Sequence, residues 1–173
     1  RGALEAQTGH RAGLVIVHGD GRVTTRCVTF EEDTITGLSL LQRAGLGLEI
    51  ASGAGGATVC SIEGQGCPAA DCFCQCKGSP CNYWNYFYRA QGSGWTYSAL
   101  GAVGRSVRPG DVDGWVWGDG SSPPPDLDVA AICGASSPTT QPPATATSAA
   151  TGPAATVAAT TEPQAATTEP QAA

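Results

Sequence analysis

Eight cysteines are the residues of this chain best suited to chemistry. Four of them crowd into "DCFCQCKGSPCNYW", Asp71 to Trp84, and three of those alternate: Cys72, Cys74 and Cys76. Thiols at such density serve a metal site, a redox site or a set of disulfides. Structural zinc asks for four Cys or His ligands, usually as two C-x-x-C-like pairs with a longer spacer. The one-residue gaps here do not match that spacing, and neither His10 nor His18 is close in sequence. No iron–sulfur spacing matches either. Cys27, Cys60, Cys67, Cys81 and Cys133 complete the set, which stops just before a low-complexity tail. That distribution is expected of disulfides in an oxidising compartment. Eight cysteines allow about a hundred pairings, so the connectivity stays open. The first pairing to expect is Cys27–Cys133, tying an early strand to the end of the domain. No metal and no cofactor is expected.

Other chemistry finds little support. A triad needs an oriented imidazole; His18 ends an expected strand and His10 precedes it, so both are read as structural or solvent-exposed. Carboxylates cluster at Glu31 to Asp33, at Asp111 and Asp113, and at Asp126 and Asp128. The run "GDVDGWVWGDG" lacks the spacing and closing Glu of an EF-hand, and is read as a solvated turn. "SGAGGA" is not followed by Lys-Ser/Thr, which speaks against a phosphate loop. No catalytic residue emerges, and an enzyme is not expected. With nine basic against fifteen acidic residues, net charge −6 and no Lys or Arg beyond Arg108, the chain is not suited to nucleic acid. No apolar run approaches the roughly 18 residues of a spanning helix. Arg1 and the absence of Met read as the product of processing, such as removal of a signal peptide.

The elements that must hold these residues follow from periodicity. Residues 1–12 show none and read as an arm. Leu14 to Val17, the turn "GDG", and the alternation from Val23 to Phe30 read as a hairpin. Thr36 to Ala44 reads as a short amphipathic helix, with Thr36 as N-cap and Gly45 just past its end. "LGLEIASGAGGATVCSI" reads as two short strands about a glycine turn. The cysteine loop then leads into the aromatic strand "NYWNYFYRA", and "VDGWVWGDG" is the last strand. The sum is a small disulfide-stapled α+β domain, residues 13–135, with one main helix on a mixed sheet.

Aromatics remain as candidate ligand contacts: Trp95, Trp117, Tyr83 and Tyr86. Trp84 and Trp115 read as core. Trp95 follows "QGSG" in an expected loop, where a bulky ring needs a reason, and is the first candidate. Residues 136–173 are rich in Thr, Ala and Pro, with two copies of "TTEPQAA". They read as a stalk, either a plain linker or an O-glycosylated one. Thr139, Thr140, Thr145, Thr147, Thr160, Thr161, Thr167 and Thr168 are the candidate acceptors.

Four stretches in order carry a family resemblance: "ITGLSLLQRAGL", "TVCSIEGQG", "YWNYFYR" and "GAVGRSVRPGDVDGWVW". Over about residues 12–133 the chain resembles the C-terminal domain of transcobalamin and intrinsic factor. More closely it resembles a family of bacterial surface domains related to that domain, in the soluble-ligand-binding β-grasp superfamily. The resemblance implies a β-grasp-like fold with a ligand-facing aromatic surface. The insertion from Cys67 to Cys81 departs from the vertebrate carriers, and their large helical domain has no counterpart here. A cobalamin site is therefore not carried over. The expected function is a non-catalytic, secreted or cell-surface module that binds a small soluble ligand or glycan. The alternative, from another class, is a protomer of an extracellular filament, with arm or tail packing on neighbouring subunits.

Overall fold

The computed structural model describes residues 9–53 and 56–134. These belong to the first of two units, Arg1–Pro138, the second being Thr139–Ala173. Residues 1–8 of the arm, the stalk at 136–173 and all eight candidate glycosylation threonines lie outside the described residues.

Strands β1 (His10–Val17) and β2 (Val23–Phe30) pair antiparallel, with Val17 opposite Val23 at the turn. Gly21 sits at φ +82°, a conformation that costs glycine nothing, and its N–H donates to the His18 carbonyl. Strand β1 takes in His10, Arg11 and Ala12, which the sequence assigns to the arm, and Ala12 is fully buried. Gly13 hides the strand pattern here. A Cβ on it would lie 2.7 Å from Ile132 Cδ1, so the space is already filled by another element.

The chain continues through β3 (Ile35–Thr36), α1 (Gly37–Arg43), β4 (Leu48–Gly53), β5 (Gly56–Ile62) and β6 (Gln65–Gly66). After the cysteine loop come β7 (Tyr83–Arg89), β8 (Thr96–Tyr97), β9 (Ser106–Val107), β10 (Val112–Gly118) and α2 (Val129–Cys133). The domain is thus α+β, with the main helix where the sequence places it. Thr36 Oγ1 accepts from the Ser39 N–H at 3.0 Å, satisfying one of the first-turn donors, and Gly45 follows at φ +70°.

The main sheet has the order β2-β1-β10-β7-β8. It is mixed: β10 runs parallel to β1, Leu14 beside Asp113, and antiparallel to β7, Trp115 beside Tyr86. Small ladders β3-β9 and β4-β5-β6 complete the pairing. Because side chains alternate along a strand, the central sheet has two covered faces. Leu14, Ile16, Trp84, Tyr86 and Trp115 join Leu40 and Leu41 of α1 and Val59 and Ile62 of β5 in the main core. On the other face α2 packs on β1 and β2. The sequence reading missed α2, whose five residues are too few to signal a helix by period.

Gly37 marks the tightest approach of helix to sheet. A Cβ there would meet Tyr86 Oη and Cζ and would lie 2.9 Å from Asp113 Oδ2. Overpacking of that kind costs about 1–3 kcal/mol. Gly37→Ala is expected to fall at the upper end, while Gly47→Ala, with nothing within 4 Å, should be near neutral. Equal melting temperatures for the two variants would contradict this packing.

Candidate functional site

The alternating thiols do not converge. Cys72 bonds Cys60, Cys74 bonds Cys67 and Cys76 bonds Cys81, while Cys27 bonds Cys133 across 106 positions. All eight cysteines are paired. Two of these bonds fasten the loop to Cys60 within β5 and to Cys67 just after β6. Phe73, carried between two bonded cysteines, is held outward and is 49% exposed.

That loop forms one wall of an open cleft of about 170 Å³. Val59 and Thr58 of β5 form another side, and the Ser98–Ala102 segment closes the third. Trp84, Tyr86 and Trp115 lie within, each about nineteen-twentieths buried. Phe73, Tyr83 and Tyr97 form the rim. The Phe73 and Tyr83 rings meet at 6.0 Å and 62°, and the Tyr83 and Tyr97 hydroxyls are 3.3 Å apart. That hydrogen bond, with partial burial, pushes the Tyr83 phenol up to about 12. Among the described residues, no charged one lines the cleft. A separate depression of about 230 Å³ beside Arg89 and Asp128 differs in kind. Its charged groups already have partners, Arg89 with Asp126 and Asp128 with the Ala131 N–H.

Of the four aromatic candidates, the structure brings Tyr83 and Tyr86 to the cleft. Trp95 lies elsewhere: its ring edge comes within 3.1 Å of a Cβ built on Gly114, next to Pro124. Its Nε1 donates to the Pro125 carbonyl at 3.3 Å. The ring in that loop thus has a packing partner, the 122–127 segment, which its own local sequence does not announce. Trp117 packs edge-on against Trp84 at 5.5 Å, outside the cleft lining. Phe73 and Tyr97 were missed. The available signal for Phe73 was its place in "CFC", between two cysteines whose bonds fix the backbone on either side of it.

The reading of Asp111 and Asp113 as a solvated turn is overturned. Asp113 is fully buried and Asp111 is 4% exposed. The alternation that puts Trp115 in the core puts Asp113 on the same face two residues earlier. Tyr86 Oη donates to Asp113 Oδ2 at 2.5 Å, and Arg105 Nη2 bridges Asp111 Oδ2 at 2.6 Å. Arg105 Nε stands 3.9 Å from Asp113 Oδ1, and its guanidinium lies 4.5 Å over the Tyr88 ring. Burial pushes the Asp113 carboxyl up to about 7, although Tyr86 and Arg105 pull the other way. Burial also pushes the Tyr86 phenol up.

A raised carboxyl binds its proton more tightly when folded than when unfolded. The stability Asp113 contributes is therefore fully present below about 3.8 and is lost as pH rises towards about 7. The measurable window is pH 5 to 7, above the range in which Glu32, held down to about 2 by its Arg43 hydrogen bond, titrates. Urea unfolding should show stability falling across that window, with the slope reduced in Asp113→Asn. An unchanged slope in the variant would rule Asp113 out as its source.

His18 is also buried, at 3% exposed. Its Nε2 is 3.1 Å from Glu63 Oε2 and its Nδ1 is 3.1 Å from Gln65 Oε1, with Trp84 edge-on at 5.7 Å. This links the β1–β2 turn to the β5–β6 turn. His10 is on the surface beside Phe30.

No protein-family model and no curated protein matches the chain. A crystal structure from Ruminococcus gnavus, of a protein provisionally named for metal binding, is similar to 62% of this chain and 95% of its own, at 14% identity and TM-score 0.42. Among the described residues here, no group of three or more His, Cys, Asp or Glu side chains could hold a metal ion.

Proposed function

We propose that this domain is a non-catalytic, secreted or cell-surface binding module that takes a small soluble ligand in the aromatic cleft. The observation that carries the reading is the cleft itself: buried Trp84, Tyr86 and Trp115 within a rim of half-exposed Phe73 and Tyr97. Exposed rings around a concave aromatic floor form a binding surface that packing alone does not require. A β-grasp-like fold related to the transcobalamin C-terminal domain accords with the first and last long strands lying parallel at the centre of the sheet. It accords also with α1 following the first hairpin and the two-residue β3. Four disulfides accord with an oxidising, extracellular setting. Among the described residues no helix is long and apolar enough to cross a membrane.

Isothermal titration against cyanocobalamin and a glycan panel tests the module. Binding should weaken in Tyr97→Ala and persist in Trp95→Ala. Binding that is lost only in Trp95→Ala would move the site to the Gly114 and Pro124 contact of that ring.

Self-association into a filament is a second reading, favoured by one feature. Strand β2 is eight residues long and lies at the sheet edge, where backbone donors and acceptors are open to an added strand. Electron microscopy of the full chain, and of a chain lacking residues 1–8, tests it. Fibres formed equally by both chains would remove the arm from the assembly.

A further inference from the structure

With the aromatic cleft taken as the binding site, its chemistry is narrower than "small ligand". Three observations restrict the occupant. The first is charge. The cleft is lined by rings, hydroxyls and small side chains with no Lys, Arg, His, Asp or Glu among them, in a chain whose net charge is −6. An ionised ligand would shed water there without gaining a counter-charge, which is costly. The occupant is neutral.

The second is size and shape. At about 170 Å³ the cleft is smaller than the roughly 300–1,000 Å³ that encloses a drug-sized molecule. It suits one ring of a ligand and not a macrocycle. Neighbouring aromatic rings are inclined to one another: Phe73 to Tyr83 at 62° and Tyr86 to Trp115 at 32°. No parallel pair is set to sandwich a flat heterocycle. A saturated ring needs only one aromatic face for its C–H groups.

The third is hydrogen bonding. The rim hydroxyls make only long contacts: Tyr83 Oη to Tyr97 Oη at 3.3 Å, and Ser98 Oγ donating to the Gly101 carbonyl at 3.3 Å. A hydroxyl both donates and accepts and can rotate to a better partner. The cleft therefore offers re-aimable hydroxyls beside stacking rings, suited to a ligand that carries hydroxyls around an apolar ring face.

We infer that the cleft holds a single pyranose ring of a neutral glycan, stacked on the rim aromatics and hydrogen-bonded by Tyr83, Tyr97 and Ser98; this rests on the cleft being the module's binding site. The test is saturation-transfer NMR and titration calorimetry on the disulfide-intact protein. The probes are methyl glucoside, galactoside and mannoside, a neutral glucan trisaccharide, methyl glucuronide, adenosine and cyanocobalamin. At least one neutral pyranoside should bind, and the glucuronide should bind at least tenfold more weakly. Tyr97→Ala and Phe73→Ala, both at half-exposed positions, should each weaken the neutral sugar tenfold or more, and Trp95→Ala should not. Equal binding of neutral and acidic sugars, or sugar binding indifferent to Tyr97, overturns the assignment. Tyr97-dependent binding of adenosine or cyanocobalamin without any pyranoside also overturns it, while leaving the cleft a ligand site. If no probe binds in a Tyr97-dependent way, the binding-module reading falls as well.

Discussion

Replacing Cys27 and Cys133 together by serine should cost about 4–5 kcal/mol. Their bond closes a loop of 106 positions, and cross-linking removes more freedom from the unfolded chain as the loop lengthens. For a domain of this size that loss should lower the melting temperature by roughly 15 °C. The Cys76–Cys81 bond spans five positions, so its removal should cost only about 2 kcal/mol. The long bridge also holds α2 against the sheet. Five helical residues do not persist in isolation, so α2 should detach and uncover Gly13, where Ile132 now sits. Calorimetry without reductant reads the first effect, and amide exchange across 128–133 reads the second. Equal losses for the two double variants would mean that loop closure is not how Cys27–Cys133 acts.

Arg105→Met should be nearly as severe, costing about 4 kcal/mol at pH 8. Removing one member of a buried ion pair leaves the other charged and dry, which typically costs about 3–5 kcal/mol. Here two carboxylates depend on one guanidinium, Asp111 at 2.6 Å and Asp113 at 3.9 Å. The backbone bonds from the Gly37 N–H to the Arg105 carbonyl and from the Leu38 N–H to the Ala102 carbonyl survive the substitution, so the loss reports the side chain. Lowering the pH to 5 should shrink the penalty. Asp113, pushed up to about 7 by burial, then holds its proton and needs no counter-charge. Arg43→Met removes an equally short bridge, to Glu32 at 2.6 Å, but on the surface, where water replaces it. Its melting temperature should barely move. Urea unfolding of both variants at the two pH values decides the matter. A loss for Arg105→Met that is the same at pH 5 and pH 8 would separate its role from Asp113.

What the sequence determined by itself was local. Thr36 and Gly45 bound the helix because a cap hydroxyl and a left-handed glycine act within one turn of their own positions. The apolar run before "GDG", the alternation after it and the alternation along "YWNYFYR" laid out β1, β2 and β7, since such patterns need only neighbouring residues. The abundance and spread of cysteines pointed to disulfides over metal, and the bridge from Cys27 to Cys133 is present. Tertiary structure decided what depends on elements far apart in the chain. It drew Cys72, Cys74 and Cys76 to three different partners. It placed β10 beside β1, and so carried Asp113 from an apparent surface turn to a site with Tyr86 against it and Arg105 nearby. It put Trp95 on Gly114 and left Phe73 and Tyr97 to frame the cleft. Each of these outcomes depends on which side chain arrives from across the fold to fill a space or meet a charge, and no window of neighbouring residues contains that information.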